Sequence, residues 1–143
     1  MVKQQLWRRL ACVVVLLSLG GCSGGEPVYP VTGQIVFSDG KPVPGGIIEF
    51  QALEGTSKAN PRGTIGAEGK FSMISLPERQ GAAPGKYRVI VRAFDPAYDD
   101  EAHGFKIPPP LIDRRYEKYE TTNLEVLVEP KSNEVTITVE RPH

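Results

Sequence analysis

Cysteine, histidine, aromatic rings and surplus charge are all scarce in this 143-residue chain. Two cysteines and two histidines supply too few soft ligands for a zinc site, too few sulfurs for a disulfide scaffold, and little for histidine-based catalysis. Seventeen Lys and Arg against 17 Asp and Glu give no net charge, which argues against nucleic acid as a partner, since a phosphate backbone calls for a basic excess. No uncharged apolar run approaches the roughly 20 residues needed to span a bilayer as a helix. No G-x-S-x-G elbow, H-E-x-x-H pair or glycine-rich phosphate loop opening a helix occurs, so no catalytic set and no cofactor is expected.

Glycine and proline, by contrast, are abundant. Fifteen Gly and 13 Pro break the chain into short pieces and argue against long helices. The length suits one ordinary domain.

The first residues read as an export address. Lys3, Arg8 and Arg9 precede residues 10–19 (LACVVVLLSL), ten residues without a charge, the basic and apolar regions of a secretory signal. Gly20-Gly21 then stops the run. Leu19-Gly20-Gly21-Cys22 resembles the bacterial lipobox, with an apolar residue at −3, two small residues and then the cysteine that is acylated. Small residues let the backbone approach the peptidase; the Cys22 thiol is the nucleophile that accepts the diacylglycerol. The resemblance implies a signal peptide over residues 1–21, Leu19, Gly20 and Gly21 as its recognition residues, and lipid on Cys22. Two or more acyl chains at about 0.8 kcal/mol per buried CH₂ hold a protein durably at a membrane.

Cys12 lies inside that leader, so the processed chain would keep one cysteine, occupied by lipid. Without Lys3, Arg8 and Arg9, 14 bases face 17 acids, a net charge of about −3. On that balance the domain would rest beside anionic lipid on its acyl chains rather than on a basic patch. Residues 22–30, with the Gly-, Pro- and Ser-rich SGGEPVYP after Cys22, read as a flexible linker of short reach. Ser23 is not the aspartate that retains some lipoproteins in the inner membrane, which favours an outer-membrane location over the cell membrane where that rule operates.

Residues 31–143 read as strands. Val31, Gly33, Ile35 and Phe37 alternate with Thr32, Gln34 and Val36, the period of two of a half-buried strand. Asp39-Gly40 then turns the chain, with Gly40 free to take positive φ. Strand character recurs at residues 47–52, 63–65 and 71–75, the last two reading as a hairpin around Ala67-Glu68-Gly69. It is clearest at residues 86–94, where Tyr87, Val89 and Val91 face one way and Arg88, Ile90 and Arg92 the other. Residues 123–129 and 134–140 alternate in the same manner and read as a closing hairpin over Pro130-Lys131-Ser132-Asn133. Seven strands at these spacings predict an all-β, antiparallel Greek-key sandwich.

Three segments carry a family resemblance. Residues 31–50 (VTGQIVFSDGKPVPGGIIEF), residues 67–73 (AEGKFSM) and residues 84–89 (PGKYRV) are similar to elements of the carboxypeptidase regulatory-like domains, which are transthyretin-like (prealbumin-like) sandwiches. Ala67 replaces the usual Asp or Asn, and Ile112-Asp113 departs from the Ile-Pro of small bacterial lipoproteins that carry this domain. The resemblance implies a non-catalytic binding or structural module in the cell envelope. It also brings in transthyretin-like hydroxyisourate hydrolases as a less favoured reading. Those use histidines, an arginine and a Tyr-Arg-Gly-Ser tail, where this chain has Glu140-Arg141-Pro142-His143 and places His103 in a loop.

Residues 95–120 form a stretch without strand character, longer than ordinary connections and therefore the candidate binding surface. Tyr98, Phe105, Tyr116 and Tyr119 lie in it, and exposed rings there would make a platform for a carbohydrate, the alternative function; otherwise they fold back over a sheet edge or the end of the core. Asp95, Asp99, Asp100, Glu101 and His103 form an oxygen-rich group without EF-hand spacing, so a solvated loop is expected and no metal site. Pro108-Pro109-Pro110 suits a stiff polyproline spacer. Expected partners are thus the membrane, through Cys22, and an envelope protein or polysaccharide. The sequence leaves the oligomeric state open.

Overall fold

A computed structural model describes residues 25–53, 58–75, 79–98, 101–104 and 107–143. The leader, Cys22 and Phe105 lie outside the described residues. Strands β1 (Val31–Phe37), β2 (Gly46–Ala52), β3 (Arg62–Ile65), β4 (Lys70–Ser72), β5 (Ile74–Ser75), β6 (Arg79–Gln80), β7 (Gly85–Ala93), β8 (Glu125–Val128) and β9 (Asn133–Val139) build two sheets, ordered β4-β1-β9 and β6-β5-β3-β2-β7-β8. The chain is an all-β sandwich.

The alternation read from the sequence fixes which side of each strand faces inward. Val31, Ile35 and Phe37 of β1, Ile48 and Phe50 of β2, Tyr87, Val89 and Val91 of β7, Val126 and Val128 of β8, and Ile137 and Val139 of β9 all join one buried cluster. Each such side chain contributes about 1.5–3 kcal/mol by leaving water. Tyr87 pays no polar penalty there, because its hydroxyl donates to the Ala83 carbonyl at 2.8 Å.

Pairing partners differ from the sequence expectation in four ways. Among the described residues nine strands stand where seven were expected: residues 71–75 divide at Met73, and Arg79–Gln80 adds a short edge. The Met73 amide donates to Val31 O of one sheet (2.9 Å), while its carbonyl accepts from Gly81 N at the other (2.7 Å), so the chain changes sheet at this residue. The expected hairpin around Ala67-Glu68-Gly69 is therefore divided too, with β4 paired to β1 and β5 to β3. The expected hairpin of the last two strands does not form: β8 pairs with β7, and β9 pairs with β1. Finally, β1 and β9 run parallel in a fold expected to be wholly antiparallel. Period-two patterning specifies a strand and its buried face but carries no information about its neighbour.

Asn133 explains how residues 129–133 cross between sheets. Its side-chain oxygen accepts from Glu129 N at 2.9 Å, and its amide nitrogen donates to Glu129 O (3.1 Å) and Lys131 O (2.6 Å). The Asn133 backbone amide reaches Pro30 O at 2.9 Å. A nearly buried side chain thereby substitutes for a strand partner. Gly33 permits the β1–β9 approach: a Cβ there would sit 2.0 Å from Val135 O. At the expected turn, Gly40 has φ 82°.

Among the described residues of 95–120 there is one turn of 3-10 helix, Arg114–Glu117, opened by Asp113, whose carboxylate accepts from Arg115 N at 2.9 Å. β8 pairs only with Gly85 to Arg88, which leaves the rest of that edge of β7 to other partners. The segment after the helix takes part of it: Thr122 Oγ1 donates to Val89 O (2.8 Å) and Val89 N to Leu124 O (3.0 Å). Asp113 N donates to Glu140 O at the end of β9 (2.9 Å). The long segment thus bridges the two sheets and places Ile112 and Tyr116 in the core.

Candidate functional site

Strand alternation sorts the outward side chains of the six-stranded sheet onto one surface. Register sets Ile74 beside Arg62, Arg62 beside Glu49 and Glu49 beside Ile90. Next come Thr64, Ile47 and Arg92 in one row, and Gln51, Arg88 and Glu125 in another. Lys86 lies beside Leu127. Four bases therefore share the surface with two acids.

The acids are the more withdrawn groups. Glu49 is 20% exposed, held at 3.4 Å by Arg92 and 3.9 Å by Arg62, whose side chains are 53% and 61% exposed. One recessed carboxylate neutralises one guanidinium and leaves the other in excess. Lys86 meets Glu125 at 3.2 Å. Between these charges stand Ile47, Ile74 and Leu127, all exposed, with Phe94 just beyond the end of β7.

Tyr119 lies over this surface. The Tyr119 carbonyl accepts from Arg88 Nη1 at 3.2 Å. Burial pushes its phenol above the usual tyrosine value, and Glu49 adds to the rise while Arg92 and Arg62 oppose it. Ile90, which points away from the core, is buried on this side.

The other rings singled out in the sequence lie elsewhere. Tyr116 is 3% exposed within the core, so its face is unavailable to a ligand; Arg115 donates to its hydroxyl at 2.8 Å. Tyr98 stacks on His103, with ring centroids 4.5 Å apart. The burial of Tyr116 follows the second of the two expectations, folding back over the core, and takes one ring from a sugar platform. Asp95 caps its own turn through Ala97 N (2.9 Å), and among the described residues no three His, Cys, Asp or Glu side chains gather as a metal site. Pro108, Pro109 and Pro110 line a shallow groove with Phe94, Ile107 and Arg114.

The chain's last residues are held at the end of the three-stranded sheet. Arg115 pairs with Glu140, and Arg141 lies 3.7 Å from the Phe37 ring centroid and 3.4 Å from Asp39. The Asp39 carboxyl falls below its ordinary value because Lys41 N donates to it, with Arg141 adding to the effect. His143 is exposed, 3.9 Å from Glu140.

Upstream of β1 the chain is pinned to the other sheet. Tyr29 and Ala82 exchange backbone hydrogen bonds of 2.9 and 3.0 Å, and Arg79 of β6 donates to Glu26 O at 2.7 Å. Gly25 lies against the Arg79 guanidinium. Gly25 and Glu26 therefore lie at the β6 edge of the six-stranded sheet.

Against family models, curated proteins and solved structures, the chain finds no match. Among the described residues no helix is long and apolar enough to cross a membrane.

Sequence reasoning missed the charged surface because it counted charge and did not sort it by face. The signal was present in β7, where Arg88 and Arg92 share the outward register with Lys86.

Proposed function

We propose that this protein is a lipid-anchored component of the bacterial cell envelope, held through Cys22, whose sandwich acts as a non-catalytic binding or structural module. The observation that carries this reading is Leu19-Gly20-Gly21-Cys22 standing directly after a basic leader and a ten-residue apolar run. The resemblance of residues 31–50, 67–73 and 84–89 to carboxypeptidase regulatory-like domains supports the same assignment, and with it a transthyretin-like sandwich.

The test is metabolic labelling of the full chain with a fatty-acid analogue in the producing bacterium. Wild type should incorporate label and run at the processed size. Cys22→Ser should lose the label and accumulate as precursor. Undiminished labelling of that variant would refute the anchor.

A further inference from the structure

We propose that the outer face of the six-stranded sheet lies against the anionic headgroups of the membrane that holds Cys22, an inference that rests on the anchor reading. Three steps of chain separate Cys22 from Gly25, at most about 10 Å when fully extended. Gly25 sits against Arg79 of β6, and Arg79 also holds Glu26. The tether therefore brings that particular sheet edge to the lipid surface.

From β6 to β8 the sheet is six strands wide, about 24 Å at the usual strand spacing. Lying flat around Tyr119, its strands present Arg62, Arg92, Arg88 and Lys86 against Glu49 and Glu125, a surplus of two positive charges among the strand residues of this face on a processed chain that is acidic as a whole. Guanidinium groups pair with phosphate oxygens through two parallel hydrogen bonds. Ile47, Ile74 and Leu127 stand exposed among them. That mixture of arginine and aliphatic side chains fits the boundary between phosphate and acyl chain. An acidic polysaccharide would satisfy the charges and leave the aliphatic groups in water, so the observations favour the bilayer.

The experiment uses the mature protein, extracted from its bacterium and reconstituted into vesicles of phosphatidylcholine with or without phosphatidylglycerol. An environment-sensitive fluorophore is placed at Thr64→Cys on the proposed face or at Thr136→Cys on the opposite sheet, both exposed strand positions. Flotation reports attachment, and a soluble quencher reports shielding. The expected result is flotation with both vesicles, and a label at position 64 that turns blue-shifted and several-fold less quenched only where phosphatidylglycerol is present, while position 136 stays open.

High salt, or Arg62→Gln with Arg92→Gln, should reopen position 64 without detaching the protein, each lost base weakening the contact roughly fivefold. Equal quenching at both positions on floating vesicles would overturn the face assignment and leave the anchor standing. Failure to float with either vesicle would overturn the anchor and this inference together. Flotation only with phosphatidylglycerol, reversed by salt, would remove the anchor and this inference with it, leaving a peripheral electrostatic contact. Shielding of position 64 by a soluble acidic polysaccharide, with none on vesicles, would overturn the bilayer as occupant.

Discussion

The two outward faces of the sandwich are made by the same rule and have opposite chemistry. On the three-stranded sheet the outward residues are Thr32, Gln34 and Val36 of β1, Lys70 and Ser72 of β4, and Glu134, Thr136 and Thr138 of β9, with one base matched by one acid. On the six-stranded sheet, bases outnumber acids and exposed aliphatic groups stand between them. A neutral sequence can carry a polarised surface, because alternation segregates residues by register and charge counting averages over it. Threonine and serine on a strand satisfy water and ask for no partner. Arginine interleaved with exposed isoleucine and leucine offers a partner both charge and apolar area, which the threonine-rich face does not.

The largest expected effect separates the inward register of β1 from its outward one. Gly33→Val should prevent folding, with a loss above about 4 kcal/mol by denaturant titration, because the new Cβ would fall 2.0 Å from Val135 O and meet backbone. The neighbouring outward Gln34→Val should shift the midpoint by no more than about 0.5 kcal/mol. Equal effects would show that β1 and β9 do not approach as described.

A second comparison sets the two tyrosines of the bridging segment against each other. Tyr116→Ala empties a core position and should cost about 3–5 kcal/mol. Tyr119→Ala removes a partly exposed ring and should cost about 1 kcal/mol or less. Asn133→Ala is expected to cost about 2 kcal/mol, since it strands Glu129 N and the Glu129 and Lys131 carbonyls where the chain changes sheets.

The smallest effect is electrostatic. Tyr119 should ionise above its ordinary value in a tyrosinate absorbance titration, and Glu49→Gln should lower it again. The sign follows from linkage: the unfolded chain ionises first, so this contribution to stability is intact below about pH 10 and declines as pH rises towards the folded value. A Tyr119 titration unchanged by Glu49→Gln would place the ring away from the charged face.

These residues also show what the sequence discloses. Tyr87, Val89 and Val91 declared their buried face through spacing alone, and Asp39-Gly40 declared its turn, because both depend on neighbours in the chain. The partners of β4, β5, β8 and β9 depend on contacts distant in sequence, which a local pattern cannot encode. Residues 112–122 defeated pattern reading for another reason: a single helical turn is too short to show a period, so Tyr116 looked like any loop aromatic. The charged face was legible one strand at a time, but its rows across the sheet needed the register of β2, β3, β7 and β8.

Intact-mass analysis of the protein extracted from membranes tests the central claim most directly. The expected species starts at Cys22 and carries a diacylglyceryl group on its sulfur. A chain with a free Cys22 thiol, or one that retains residues 1–21, would contradict it.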